Sequence, residues 1–200
     1  MILFDKTDMS FSSICAGGAR QLAGLFGINL YQYTEDRRIL EKTIFPYFSQ
    51  TPDQKILFVG CDWYTRHYPA LFAKQKFWTL DVDPRRARYG AARHIEDRVE
   101  NISSYFATES LDAIFCNGLL GWGLNERLLI EQAFNGCVDA LAHGGVFILG
   151  WNDVEGRRPC RLEDCSSLRR LQPFTFPPLQ TTQYQTRGAN RHTYNFYVKT

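Results

Sequence analysis

The sequence predicts an α/β fold: an open, mostly parallel seven-stranded sheet with helices on both faces and an antiparallel strand pair at its C-terminal end. Three observations predict it. Short, mainly apolar runs occupy residues 56–59, 77–80, 111–116 and 146–149, and a strand apolar on both faces belongs in a sheet covered on both sides. Segments of helical spacing alternate with these runs, the order that gives parallel strands. The last run, residues 192–198, alternates in polarity, is rich in aromatics and follows no convincing crossover helix. It therefore reads as a closing antiparallel strand at or near the edge.

Taken in order, residues 1–30 do not choose between a lid and a packing arm, because Gly17-Gly18 interrupts any long helix. Residues 1–50 are expected as a helical extension and residues 55–200 as the α/β core of a single domain spanning 1–200. Thr34 is a plausible N-cap, with Glu35 and Asp36 in the first turn, where acids suit the helix dipole. Leu40, Ile44, Tyr47 and Phe48 share one face, and Pro46 is expected to kink or end that helix. The first strand stops at Gly60, and an apolar helical piece follows at 71–73. The second strand ends in Asp81-Val82-Asp83-Pro84. Residues 85–92 read as a helix opened by proline, 94–97 as a third strand and 101–106 as a short helix. The fourth strand ends at Asn117-Gly118, before a glycine-rich loop over 119–124. Asn125 is expected to cap the clearest helix, whose stripe is Ile130, Ala133, Phe134, Cys137, Val138 and Leu141. Gly144-Gly145 should stop it. A fifth strand follows at 146–150, then a polar loop with a short helix over 154–172 and an edge segment at 174–178.

Composition sets limits. Two hundred residues with 44% hydrophobic and 22% charged content make one ordinary globular domain. A net charge of +2 argues weakly against nucleic acid as a partner, and the cluster Arg85-Arg86-Ala87-Arg88 reads as a solvated helix face. The six cysteines form no disulfide framework. Cys160 and Cys165 are the one close pair, and no second pair follows at zinc spacing, so no metal is expected. The N-terminus lacks a signal peptide's pattern and no run approaches a membrane span. A cytoplasmic setting without a membrane partner is expected.

In an open parallel sheet, ligands sit beyond the carboxyl ends of the strands. Gly60 and Asp81 stand at two such ends. A carboxylate there can accept two hydrogen bonds from a ribose diol, the first sign of a nucleoside-containing cofactor.

With these elements in place, residues 35–200 resemble the class I S-adenosylmethionine-dependent methyltransferases, a Rossmann-like family. The resemblance rests on Ile56-Leu57-Phe58-Val59-Gly60-Cys61, Leu80-Asp81-Val82-Asp83-Pro84, Asp97, Leu111-Asp112-Ala113-Ile114-Phe115-Cys116-Asn117 and the helix leading into Gly144-Gly145-Val146. It implies S-adenosylmethionine as cofactor. It also implies a cofactor-binding set of Gly60, Cys61, Asp62, Trp63, Asp81, Val82, Asp97, Arg98 and Asn117. Within that set Asp81 would hold the ribose and Asp97 the adenine amine, with Arg98 or Val99 flanking the ring. The chain departs from the family where two further glycines would fall, at Asp62 and Tyr64, and where the usual acid is replaced by Phe58. In one reading Asp62 pairs with the cofactor's ammonium and Trp63 or Tyr64 shields the sulfonium. In the other the pocket is lost, leaving a non-catalytic binding or scaffold protein.

The acceptor side is read from what remains. Asn117 could orient an acceptor, or simply be a turn residue. Trp122, Trp151 and Asn152 lie where a substrate wall would stand, although Trp122 could equally anchor its loop. His192 could act as a general base near neutral pH, against the plainer reading of a packed histidine. Asn117-Gly118-Leu119 does not match the Asn-Pro-Pro-aromatic run of DNA amino-methylating relatives. The expected acceptor is a small molecule, methylated by direct in-line transfer. A nicotinamide-dependent enzyme is disfavoured by the missing fingerprint glycines.

Overall fold

A computed structural model of the chain describes residues 34–200; expectations for residues 1–33 lie outside them. Five parallel strands form most of one sheet: β1 (Lys55–Val59), β2 (Lys76–Asp81), β3 (Arg93–Glu96), β4 (Leu111–Asn117) and β5 (Leu141–Asn152). β8 (His192–Val198) pairs antiparallel with β5, as its alternation predicts. Its other edge carries β6 (Gln172–Pro173) at one end and β7 (Gln183–Gln185) at the other. These two short pairings make eight strands rather than seven, in the order β3-β2-β1-β4-β5-β8-β6 with β7 beside β8. Strands β2 and β3 lie on one side of β1, whereas β4 and β5 lie on the other. The order therefore reverses between β1 and β4, and a crevice opens above their carboxyl ends.

Successive residues of a strand face opposite sides of the sheet, so the apolar run of β1 feeds two cores. Leu57 and Val59 join Ile114, Cys116, Phe147 and Leu149 on one face. Ile56 and Phe58 join Phe115, Ile148 and Phe196 on the other. The first core is covered by α3 (Arg127–Ala140). The second is covered by α1, a helical run over 35–49, and by α2 (Tyr68–Leu71). Leu40, Ile44, Phe45 and Phe48 of α1 are buried in this core, so α1 packs as a layer on this face of the sheet.

Several boundaries differ from the sequence expectations, for identifiable reasons. α1 passes through Pro46 to Ser49. It does so through a π-helical turn, Leu40–Ile44, in which the Phe45 N–H reaches back to the Leu40 carbonyl, a register shift that relieves the ladder where proline lacks a donor. Thr34 occupies the N-cap position but makes no side-chain capping bond. The helix expected over 85–92 is a 3-10 turn, Pro84–Tyr89, with no buried residue; without an apolar stripe, packing does not support a longer helix. Val99–Ser104 is likewise 3-10. Glu126 rather than Asn125 occupies the N-cap position of α3, without a side-chain capping bond, and the helix ends at Ala140, because Leu141 already pairs with Leu111 in the sheet. No helix among the described residues is long and apolar enough to cross a membrane.

Candidate functional site

A cleft of about 820 Å³ occupies the crevice at the reversal point. Gly60 forms its base. Its φ of +94° lies in the left-handed region, and a Cβ there would come within 2.8 Å of the Asn117 carbonyl oxygen. Glycine is needed to bring the β1 and β4 ends together.

Asp81 ends β2 and is buried. Its Oδ2 accepts from the Cys61 N–H at 2.6 Å and its Oδ1 from the Asp83 N–H at 2.9 Å. The carboxylate thus holds the loop after Gly60 while each oxygen keeps a free lone pair. Asp62 caps the turn Trp63–Thr65 through its Oδ1, which accepts from the Trp63 N–H at 2.7 Å. Arg86 was expected on a solvated face, but it turns inward. It donates to the Cys61 carbonyl at 2.8 Å and lies 3.8 Å from Asp62 Oδ2 and 3.9 Å from Asp81 Oδ2. Cys61 contributes its backbone; its side chain is buried, and burial pushes the thiol up to about 12, aided by the Asp81 charge.

Asp97 follows β3 on the same rim. Its Oδ1 accepts from Asn101 Nδ2 and the Arg98 N–H, and its Oδ2 from the Tyr105 hydroxyl. Hydrogen bonds from Asn101 and Tyr105 lower its pKa. Val99 is buried beneath this rim and Val82 is exposed above it, both lining the cleft. Arg98 is committed to Glu100, with Nη2 at 2.6 Å from Oε1.

At the far end, three distant residues form one network. His192 Nδ1 lies 2.7 Å from Asn152 Oδ1, and its Nε2 lies 3.1 Å from Asn117 Oδ1. Burial lowers the His192 pKa to about 4, so the ring is neutral at pH 7. A neutral ring has one donor and one acceptor; one asparagine therefore meets it through its amide NH2 and the other through its oxygen. Such a ring, with both nitrogens already hydrogen-bonded, is a poor general base at neutral pH. Gly150 makes the network possible, because a Cβ there would fall on the Asn117 side chain.

The three candidate tryptophans separate. Trp122 is exposed, lines the cleft and is covered by the Arg157 guanidinium at 3.5 Å from the ring centre. Trp151 is not in the cleft. It is buried on the face opposite Asn152, in the same core as Val59 and Leu80, donating from Nε1 to Asn195 Oδ1 at 2.9 Å, because neighbours on a strand alternate faces. Trp63 also misses the cleft lining and packs edge-on against Tyr64.

The opposite wall was not legible in the sequence. Arg37 of α1 lies over the Tyr64 ring at 3.4 Å and donates to the Tyr68 hydroxyl at 2.9 Å. Tyr64 thus stacks on a cation of the chain itself. Glu35 accepts from the Tyr184 hydroxyl and the Arg187 N–H, both in or beside the β7–β8 hairpin. These bonds tie α1 to the hairpin, whose turn residues Thr186 and Asn190 complete the rim.

No family model and no curated protein matches the sequence. Solved structures do match. The N-methyltransferase NodS of Bradyrhizobium japonicum WM9 aligns with a TM-score of 0.61 at 18% identity, over 82% of this chain and 96% of that one. A TehB-like S-adenosylmethionine-dependent methyltransferase of Corynebacterium glutamicum aligns with a TM-score of 0.61 at 17% identity, over 94% and 100% of the two chains. A 1,6-didemethyltoxoflavin N1-methyltransferase of Burkholderia thailandensis, solved with S-adenosylhomocysteine, gives 0.57 at 10% identity, over 100% and 93%. The fold is that of the Rossmann-like class I S-adenosylmethionine-dependent methyltransferases. At these identities the likeness establishes architecture, and the chemistry must be argued from the cleft.

Proposed function

We propose that the chain is an S-adenosylmethionine-dependent methyltransferase acting on a small molecule. The observation that carries this reading is Asp81. It is fixed at the end of β2 by two backbone N–H groups, yet has lone pairs left for a ribose diol. The fold's solved relatives are methyltransferases, some of them holding S-adenosylhomocysteine, which supports the same cofactor here.

The residues present fit that group. Gly60 offers bare backbone where a side chain would block approach. Asp97 Oδ2 has a lone pair for the adenine amine, and Val82 and Val99 offer apolar contact for the ring. Asp62 Oδ2 is suited to the ammonium. Arg37, held flat on Tyr64, has N–H groups for the carboxylate. When bound, S-adenosylmethionine supplies a methyl group already activated by its sulfonium. The protein then has to align the nucleophile and exclude competitors. Asn117 and Asn152, fixed by the neutral His192 between them, orient the acceptor by hydrogen bonds, and Trp122 gives it a flat wall.

Calorimetric titration with S-adenosylmethionine and S-adenosylhomocysteine tests this. Micromolar binding of both is expected. A folded protein that binds neither would be a scaffold with a methyltransferase-like fold.

A further inference from the structure

Resting on that reading, we propose that the methyl acceptor is an amine, bound at the His192 end of the cleft and held there by Asp36. The cleft is lined by seven carboxylates and three arginines; with Arg85 beside Asp83 and Arg157 over Trp122 also counted, an excess of two negative charges remains. Six of the seven carboxylates have hydrogen-bond donors within the protein. Glu35 is held by Tyr184 and Arg187, Asp62 by the Trp63 N–H, and Asp81 by the Cys61 and Asp83 N–H groups. Asp83 is paired with Arg85, Asp97 with Asn101 and Tyr105, and Glu100 with Arg98.

Asp36 is the exception. Among the described residues its carboxylate accepts no hydrogen bond, and its one ion-pair contact is Arg37 Nε at 3.9 Å, too long for a hydrogen bond. Its side chain is only 24% exposed. A carboxylate so placed gains from a charged N–H donor, because partial burial weakens its hydration. Its position is fixed. The Asp36 carbonyl accepts from the Tyr194 hydroxyl at 3.0 Å, and the Tyr194 ring packs 4.7 Å from the His192 ring. Asp36 therefore stands beside the imidazole that links Asn117 and Asn152, at the end of the cleft away from Asp97.

The charge balance points the same way. S-adenosylmethionine brings one net positive charge, which still leaves one excess negative charge. Low-dielectric walls focus that field on whatever shares the cleft. A cation is drawn in; a phosphate or carboxylate is opposed. The bound ammonium loses one proton to solvent at the cleft mouth and reacts as the free amine. Its lone pair forms the new N–C bond, sulfur retains the electron pair of the broken S–C bond, and the positive charge passes to the methylated nitrogen. A carboxylate at that nitrogen stabilises the charge as it develops.

The test uses the full chain, wild type and Asp36→Asn, with a panel of an alkyl diamine, an aryl-alkylamine, a catechol, an aryl carboxylate and a dinucleotide. Each is assayed for S-adenosylhomocysteine formation, and for calorimetric binding to protein loaded with S-adenosylhomocysteine. We expect binding and turnover with the amines. Asp36→Asn should lower kcat/KM for them about 10- to 100-fold, leave S-adenosylhomocysteine affinity within about twofold, and be partly rescued by Asp36→Glu. The proposal is overturned if only the catechol or the anions react, if no amine binds the loaded wild type, or if Asp36→Asn matches wild type on amines. Failure of folded wild type to bind S-adenosylhomocysteine would remove the methyltransferase reading, and this one with it.

Discussion

The Arg37 guanidinium lies 3.4 Å from the centre of the Tyr64 ring. This contact gives a role to Tyr64, which stands where the methyltransferases that the sequence resembles would carry a glycine. A glycine there would leave the charge of Arg37 without its platform. The Arg37 pKa is raised, with neighbouring tyrosines favouring the cation against its burial, so the group stays charged. We expect Tyr64→Gly to cost about 1–2 kcal/mol of stability and to weaken S-adenosylmethionine binding, whereas Tyr64→Phe keeps the stack and both properties. Urea unfolding and calorimetry on the two variants decide this. Equal behaviour of the two would remove the platform role.

Asp81 joins structure to binding. Asp81→Asn keeps the shape but replaces one acceptor oxygen by a donor facing a backbone N–H. The expected cost is roughly 1–3 kcal/mol in stability and about 10- to 100-fold in affinity for S-adenosylhomocysteine. Unchanged affinity in a folded variant would place the nucleoside elsewhere.

Gly150 and Gly123 make a controlled pair. A Cβ at Gly150 would collide with the Asn117 side chain and come within 2.9 Å of His192 Nε2, whereas one at Gly123 meets nothing within 4 Å. Thermal unfolding of Gly150→Ala should show a loss of about 1–3 kcal/mol, and that of Gly123→Ala almost none. Similar melting of the two would show that the Asn117–His192 network relaxes freely.

His192 predicts an acid limb in stability. Its folded pKa is about 4, against an ordinary value of 6.5. The unfolded chain therefore binds the extra proton between these values. The stabilisation is complete above pH 6.5 and declines as pH falls to about 4, by up to roughly 3 kcal/mol. His94, also lowered by burial, adds in the same direction, so the comparison must be with a variant. His192→Gln should flatten the wild-type slope in this window; an unaltered slope would mean that His192 is not buried in its neutral form.

Much of the sheet was legible because its information is local. The runs ending at Gly60, Asp81 and Asn117 carry their strand assignment in four to seven consecutive residues, and the strand ends then place the cleft. The short 3-10 turns were not legible. Arg85–Ala92 has a helical composition, yet none of the residues in Pro84–Tyr89 is buried, and burial is what extends a helix. Asn152 and Trp151 cannot face the same side of one strand, but which of them meets the cleft was not legible, because the cleft takes its lining from both faces of the sheet.

The sequence by itself determined the fold class, the crevice and the carboxylate at the end of β2. Only the tertiary structure decided the rest of the site. His192 meets Asn152 and Asn117 across 40 and 75 residues of chain. Asp36 is bound to Tyr194 across 158 residues, and Arg37 reaches Tyr64 from a different layer of the fold. The physical reason is that a strand's apolar pattern is set by neighbours two residues away. The ionisation of His192, the open lone pairs of Asp36 and the stack on Tyr64 depend on which distant side chains the packed sheet brings alongside.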